Sequence, residues 1–329
     1  MPGRRRGETK TVAILGARYA DTAVEEAVLR PRGVRVVAGD GATSDDIVRQ
    51  AEGATVVLAG ANPRFDAHVI GRLSCRGIVR YGVGVDSVDL EAAGRAGMWV
   101  AYVPDYGTDA VALHAVALLL AALRRLVAAD ASVKAGDWGI GDDLRPLHAP
   151  KAITVGVVGL GRIGRRVAEL LAPFGFGLLG HDAYVDVASI GLHLRKASLH
   201  EIVTASDAIT LHVPGVGDGR PLLGRAELER LKPGAVVVNT ARGSLIDEDA
   251  LIEGLSKGVP AVAALDVFRS EPPAERFAQV AHRVILTPHM AWYTEESELD
   301  LRTKAAQEAL RIVEGETPLN PAACPRGAN

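Results

Sequence analysis

A β-rich run, Thr154-Val-Gly-Val-Val158, leads straight into Gly159-Leu-Gly161-Arg-Ile-Gly164, and a helical pattern follows over 162–171. Few folds admit this succession. The first glycine permits a tight turn, the second lets a ligand approach the backbone, and the third lets helix pack closely on strand. The amides of Arg162 and Ile163 then open a helix whose N-terminal N–H groups and dipole attract phosphate. The alternative is a glycine-rich turn that binds nothing; the strand before it and the helix after it favour a dinucleotide. The next β-rich run ends at Asp182, 23 residues beyond Gly159. That is close to the roughly 20 expected of an acid that takes a ribose diol. A carboxylate there accepts from a 2′-OH and repels a 2′-phosphate, and no Arg or Lys follows within several residues. The expected cofactor is therefore NAD, unless Asp182 is merely an exposed turn residue.

Short apolar runs alternate with helical patterns along most of the chain. Five runs, 11–15, 34–37, 55–59, 77–80 and 98–102, enclose helical candidates at 22–30, 45–51 and 90–96. Six more follow at 154–158, 178–180, 208–211, 235–239, 261–265 and 284–286, with helical candidates at 162–171, 199–204, 225–231 and 249–255. Strands apolar on both faces imply buried parallel sheets covered by helices on either side. The expectation is an α/β chain with two doubly wound parallel-sheet domains. The join lies near Pro104-Asp105-Tyr106, and a last helix at about 295–313 is placed to pack back onto the first domain.

Composition narrows the function classes. The 37 Lys+Arg against 40 Asp+Glu leave a net charge of −3, which gives nucleic-acid binding no electrostatic support. Aromatic residues are only 4%, so the cores must be Ala, Val, Leu and Ile. Two cysteines make neither a disulfide framework nor a zinc cluster, so no metal is expected and a reducing cytoplasm is. The basic N-terminus is followed by no apolar run and does not read as a signal peptide. The longest apolar stretch, 110–123, is interrupted by His114 and falls short of the roughly 20 residues of a bilayer span. No membrane partner is expected; the stretch reads as a helix buried in the protein or at a subunit contact.

Hydride transfer between a nicotinamide and a keto acid needs a cation for the carboxylate, a proton donor for the oxygen, and a partner that keeps the donor charged. Such groups stand beyond the carboxyl ends of parallel strands. There the second series offers Arg242 in Asn239-Thr-Ala-Arg-Gly243, Asp266 and Glu271 in Asp266-Val-Phe-Arg-Ser-Glu-Pro272, and His289 in Thr287-Pro-His289. Arginine suits bidentate carboxylate binding, although Arg242 could equally be a surface residue paired with Asp247 or Glu248. His289 is the best placed of nine histidines, with Glu271 the candidate partner. Asp266 is placed to reach the nicotinamide, and His212, after the 208–211 strand, to line the cofactor pocket. His114 reads as a hydrogen-bonded residue of a helix interface.

With Arg80-Tyr-Gly-Val-Gly-Val-Asp86, Val103-Pro-Asp-Tyr-Gly-Thr108 and Pro288-His289, these motifs resemble the D-isomer-specific 2-hydroxyacid dehydrogenases, the group that includes D-3-phosphoglycerate, formate and phosphite dehydrogenases. The run Pro-His-Met-Ala-Trp-Tyr-Thr-Glu-Glu at 288–296 is similar to the C-terminal-binding-protein branch. The resemblance implies a Rossmann nucleotide-binding domain at 105–292 and a flavodoxin-like substrate domain at 1–104 and 293–329. It implies Arg242, Glu271 and His289 as the catalytic set. Val83, Gly84 and Trp292 would join Arg242 and His289 around the substrate. Thr108, Val213, Pro214, Thr240, Ala241 and Ala291 would contact NAD beside the glycine turn, Asp182, His212, Arg242, Asp266 and His289. It further implies a small anionic 2-oxo or 2-hydroxy acid as substrate and a homodimer through the NAD-binding domain. Leu113 replaces an acid that many relatives carry, and the segment 138–151 is unlike them. Arg18, Asn62, Arg64 and Arg80 either receive an anionic tail or form a solvated surface. A rival reading is an NAD(H)-sensing regulatory protein of the C-terminal-binding-protein type.

Overall fold

The computed structural model describes residues 10–191, 193–215, 219–273 and 275–325. They form two compact units, one of Met1–Gly107 with Thr294–Asn329 and one of Thr108–Tyr293. The sequence placed the joins at 104/105 and 292/293.

The first unit runs β1 Thr11–Leu15, α1 Ala23–Leu29, β2 Arg35–Gly39, α2 Ser44–Gln50, β3 Val56–Ala59, α3 Ala67–Ile70, β4 Gly77–Arg80, α4 Leu90–Arg95 and β5 Trp99–Tyr102. The second runs α5 Thr108–Leu123, α6 Leu126–Lys134, β6 Thr154–Val158, α7 Arg162–Leu171, β7 Gly177–His181, β8 Arg195–Lys196, α8 Leu199–Ala205, β9 Ala208–Leu211, α9 Arg225–Leu228, β10 Val236–Asn239, α10 Glu248–Lys257, β11 Val262–Leu265 and β12 Val284–Leu286. The chain then returns to the first unit with α11 Glu295–Glu314 and β13 Pro321–Ala323. Single turns of 3₁₀ helix lie between.

The first sheet has the order β13-β5-β4-β3-β1-β2 and the second β12-β11-β10-β9-β6-β7-β8. In each, the direction of winding reverses beside the first strand, between β1 and β3 and between β6 and β9. A reversal of this kind opens a crevice beyond the carboxyl ends of the two strands. Glycines line both crevices. A Cβ on Gly60 would stand 2.0 Å from the Gly16 carbonyl oxygen.

The second unit shows why its strands read as apolar on both faces. Ile209, Leu211, Val237, Ala263 and Leu265 pack with Ile202, Leu228 and Leu251 from α8, α9 and α10. The alternate residues Ala208, Val236, Val238, Val262 and Ala264 pack with Ala115, Leu119, Val167 and Leu171 from α5 and α7. The period-two alternation of a strand thus feeds two cores at once. Asp247 and Ser198 start α10 and α8 by accepting the Ala250 and Glu201 amides.

Some elements depart from expectation. The sheets have six and seven strands rather than five and six. The additions, β8 and β13, hold two and three residues, too few to show a period. β13 also runs antiparallel to β5, so the first sheet is not wholly parallel. Helix α3 is one turn started by Asp66, and α6 buries no residue, so neither has the apolar stripe that marks a helix in sequence. No single helix among the described residues is long and apolar enough to cross a membrane; α5 and α6 together would be, but a bend of 58° divides them.

Candidate active site

At the crevice between β6 and β9, the glycine turn has the geometry its spacing predicted. Gly159 has φ +90°, in the left-handed region, and an added Cβ would fall 2.6 Å from the His212 backbone. A Cβ on Gly164 would stand 1.8 Å from the Gly159 carbonyl oxygen, so only glycine lets α7 lie this close to the turn. Around Gly161, by contrast, an added Cβ meets nothing within 4 Å. Space is therefore open where the first amides of α7, those of Arg162 and Ile163, begin the helix.

Asp182 stands one residue past β7. Its carboxylate accepts the amides of Leu160 at 2.7 Å, Tyr184 at 2.8 Å and Val185 at 2.9 Å. Burial works against its charge, but these three bonds outweigh it and hold the carboxyl below its usual range. Two carboxylate oxygens offer about four lone-pair sites, which leaves capacity for a ribose hydroxyl.

His212 and Thr240 follow the adjacent strands β9 and β10, whose last residues, Leu211 and Asn239, are register partners. His212 Nε2 lies 2.8 Å from Thr210 Oγ1. His212 Nδ1 and Thr240 Oγ1 are buried and, among the described residues, have no hydrogen-bond partner. Unpaired buried polar atoms are costly. Two of them beside an open glycine turn fit a dinucleotide that bonds there. Val213 and Ala241 are half-buried beside them and Pro214 is exposed, while Thr108 begins α5 in the same unit.

Burial alone pushes the His212 imidazole down to about 3, so it stays neutral at physiological pH. The sign follows directly. A ring whose folded value lies below its ordinary 6.5 contributes nothing against unfolding at low pH; stability is intact above 6.5 and lost as pH falls from there toward 3. His212→Gln should reduce the loss of denaturation free energy over that window. A His212 ring titrating near its ordinary value by NMR would contradict this account.

The three catalytic candidates lie beyond β10, β11 and β12, neighbours in the sheet. Asn239 shapes the first turn: its Nδ2 donates to the Arg242 carbonyl at 2.8 Å and its Oδ1 accepts the Ala241 amide at 3.0 Å. Gly243 then presses this turn against the loop after β11, since a Cβ there would fall 2.0 Å from the Phe268 carbonyl carbon. That close approach sets the positive charge of Arg242 beside Glu271, whose carboxylate it helps to keep ionised. Of the two acids in the surface alternative for Arg242, Asp247 caps α10, and Glu248 accepts the Arg269 amide at 2.5 Å.

Glu271 receives the Phe268 amide on one oxygen at 3.1 Å and His289 Nδ1 on the other at 2.8 Å. Partial burial raises the carboxyl, but the bond and charge of His289 outweigh it and bring Glu271 below its usual range. With Nδ1 engaged, Nε2 is the nitrogen that His289 presents to solvent; the side chain is 47% exposed. His289 has φ +53°, a strained value for a residue other than glycine.

Asp266 holds that strained loop. The sequence suggested that it reaches the nicotinamide; in the structure the side chain is fully buried. Its carboxylate accepts Thr287 Oγ1 at 2.6 Å and the Met290 and Ala291 amides, both at 2.9 Å. Three bonds to a buried carboxylate fix the backbone on both sides of His289. His114 stands behind them, with Nε2 3.1 Å from Thr287 Oγ1, so the helix-interface histidine bonds the loop that carries His289. Nothing in the sequence pairs residues 114 and 287; the sheet does. Trp292 donates its indole N–H to the His289 carbonyl at 3.1 Å. Val83 and Gly84 belong to the other unit, in the turn after β4, where Val83 is 44% exposed. Among the described residues no His, Cys, Asp and Glu cluster could hold a metal ion.

A doubly wound sheet with a pyrophosphate-type turn, a ribose-type acid and three polar groups on successive strand ends defines an NAD-binding α/β protein of dehydrogenase architecture. The family model for the NAD-binding domain of the D-isomer specific 2-hydroxyacid dehydrogenases matches residues 116–291, and the chain belongs to this family. It is 36% identical over 286 residues to a D-3-phosphoglycerate dehydrogenase of Methanocaldococcus jannaschii, covering 85% of this chain and 54% of that protein. It is 35% identical to a glyoxylate reductase of Aeropyrum pernix, covering 74% of this chain and 75% of that protein. The crystal structure of a glyoxylate reductase from Paecilomyes thermophila superposes with a TM-score of 0.85 at 26% identity, covering 98% of this chain and 99% of that one. The chain spans about half the length of the D-3-phosphoglycerate dehydrogenases it matches.

Proposed function

We propose that the protein is an NAD-dependent D-2-hydroxyacid dehydrogenase that works as a 2-oxoacid reductase on a small anionic substrate. One observation carries this reading above the others: the Glu271–His289 pair at 2.8 Å, with the charge of Arg242 beside it. A protein that only senses a dinucleotide has no need of a proton donor oriented by a carboxylate.

NAD would be held by the amides of Arg162 and Ile163, the carboxylate of Asp182, and the unsatisfied His212 and Thr240; in its reduced form it supplies the hydride. Arg242 binds the substrate carboxylate and polarises the ketone, as a planar guanidinium can. His289 gives a proton from Nε2 to the ketone oxygen as negative charge develops there. Glu271 holds the ring by Nδ1 and stabilises its charged form. Asp266 keeps the donor's backbone in place, and Trp292 walls the pocket beside it. The amides of Val83 and Gly84 are further binders of the substrate carboxylate. Proton and hydride together convert the ketone into a hydroxyl.

A panel of 2-oxo acids, with and without a phosphate or phosphonate tail, assayed against NADH and NADPH tests this. Reduction of at least one acid with NADH preferred is the expected result. No turnover with tight NADH binding would favour the sensing protein of the C-terminal-binding-protein type.

We also propose that the chain forms a homodimer through its second unit. Leu113, Leu126, Val127 and Val133 leave apolar side chains at least half exposed along α5 and α6, and such exposure suits an interface. Sedimentation as a monomer would exclude it. The unpaired Cys75 and Cys324 fit a reducing cytoplasm as the site of action.

A further inference from the structure

The first unit buries an ionic cluster that the proposed chemistry does not use. Glu25 on α1 has no exposed surface, and Arg302 on α11 is 6% exposed. Arg302 donates to Glu25 through Nε at 2.9 Å and Nη2 at 2.8 Å, a two-point contact. Its guanidinium lies over the Tyr19 ring, 4.5 Å from the centroid. Glu25 then accepts the hydroxyl of Tyr81 at 2.9 Å, and the Tyr81 ring meets Tyr19 edge to face at 5.3 Å.

Tyr81 is where this chain of contacts reaches the site. It directly follows β4 and directly precedes Gly82, whose φ of +132° begins the turn that bears Val83 and Gly84. The Tyr81 amide bonds the Ala59 carbonyl at 3.0 Å, and Gly82 offers its carbonyl to the Val103 amide at 3.1 Å. The Tyr81 carbonyl also accepts Arg80 Nη1 at 2.5 Å, and past Gly82 the next backbone bond of the turn among the described residues is Val88 N to Val85 O, so Tyr81 and Gly82 are the anchors that lead directly into Val83 and Gly84. A buried ion pair is seldom worth more than an apolar trio of similar volume. What it adds is direction: three groups on three elements bonded in one arrangement.

We propose that the Arg302–Glu25–Tyr81 network is a positioning device that fixes the turn at 82–84 for the substrate carboxylate, with Tyr81 as its positioning residue. This rests on the reading that the Val83 and Gly84 amides bind that carboxylate. Arg302 and Glu25 act only through Tyr81.

Tyr81→Phe keeps the ring and its packing on Tyr19 and removes one hydrogen bond to a charged acceptor. Bonds of that type are strong enough that losing one should speed hydrogen–deuterium exchange of the 82–85 amides by about tenfold. The amides of β1 and β3 should keep their wild-type rates. With an oxo acid that the wild type reduces, KM should rise about tenfold while kcat and NADH affinity stay within about twofold. Wild-type exchange in the turn would overturn the proposal. So would faster exchange with an unchanged KM, and so would a uniform rise across the first unit, which marks a merely structural role. Should the wild type reduce no 2-oxo acid, the proposed function fails, and the exchange comparison still decides whether Tyr81 holds the turn.

Discussion

Replacing His289 by alanine should lower kcat by roughly 10²–10⁴, the usual worth of a positioned general acid, and leave NADH affinity nearly unchanged. The loss belongs to kcat because the proton is needed only as charge develops on the ketone oxygen. Arg242→Ala should show the opposite emphasis. It removes a group that binds the carboxylate before and during reaction, so KM rises most. Glu271→Gln keeps a hydrogen-bond partner for Nδ1 and removes the charge, and should fall between wild type and His289→Ala. Steady-state kinetics with one accepted oxo acid, with NADH binding followed by fluorescence, measures all three. Full activity in His289→Ala would remove the basis of the enzymatic reading. The pH profile should follow the pair. Glu271 is held below its usual range, so the interaction persists above the ordinary carboxylate range and is lost as pH falls through the lowered value.

The second large effect is on stability. Arg302→Ala strands the fully buried Glu25 with the Tyr81 hydroxyl as its remaining close partner. Breaking a buried pair from one side costs about 3–5 kcal/mol, because the remaining charge has lost its solvent and its partner. In a chain of this size that is a drop in Tm on the order of 10 °C. Removing the charge as well should help: Glu25→Leu in the Arg302→Ala background should recover part of the loss, since no buried carboxylate is then uncompensated. Thermal denaturation of the two single variants and the double variant gives the cycle. A loss below about 1 kcal/mol for Arg302→Ala, the range of an exposed pair, would show that solvent reaches Glu25 freely.

Much of the site was legible because its residues follow strands. The turn 159–164, Asp182, Arg242, Glu271 and His289 each stand just past an apolar run, and the parallel topology brings such positions to one edge. What was not legible is what holds them. Asp266 read as a cofactor group because it too ends a strand; that it also bonds the backbone around His289 shows only in the structure. Glu25 lies beside Glu26 in the first turn of the short helix α1, and nothing local to it marks it for burial. It is buried because Arg302, 277 residues later, returns against it. Likewise β13 is three residues without a pattern, a strand only because β5 offers it an edge.

Local chemistry within a few residues, then, settled the α/β class, the alternation of strand and helix, the glycine turn and the polar groups on strand ends. Each of these depends on hydrogen bonds and steric limits that a segment carries with it. The strained backbone of His289, the buried carboxylate beneath it and the ion pair behind the 82–84 turn depend on groups distant in the chain. A carboxylate or guanidinium is buried only where a partner meets it, and that meeting exists only once the sheets are assembled.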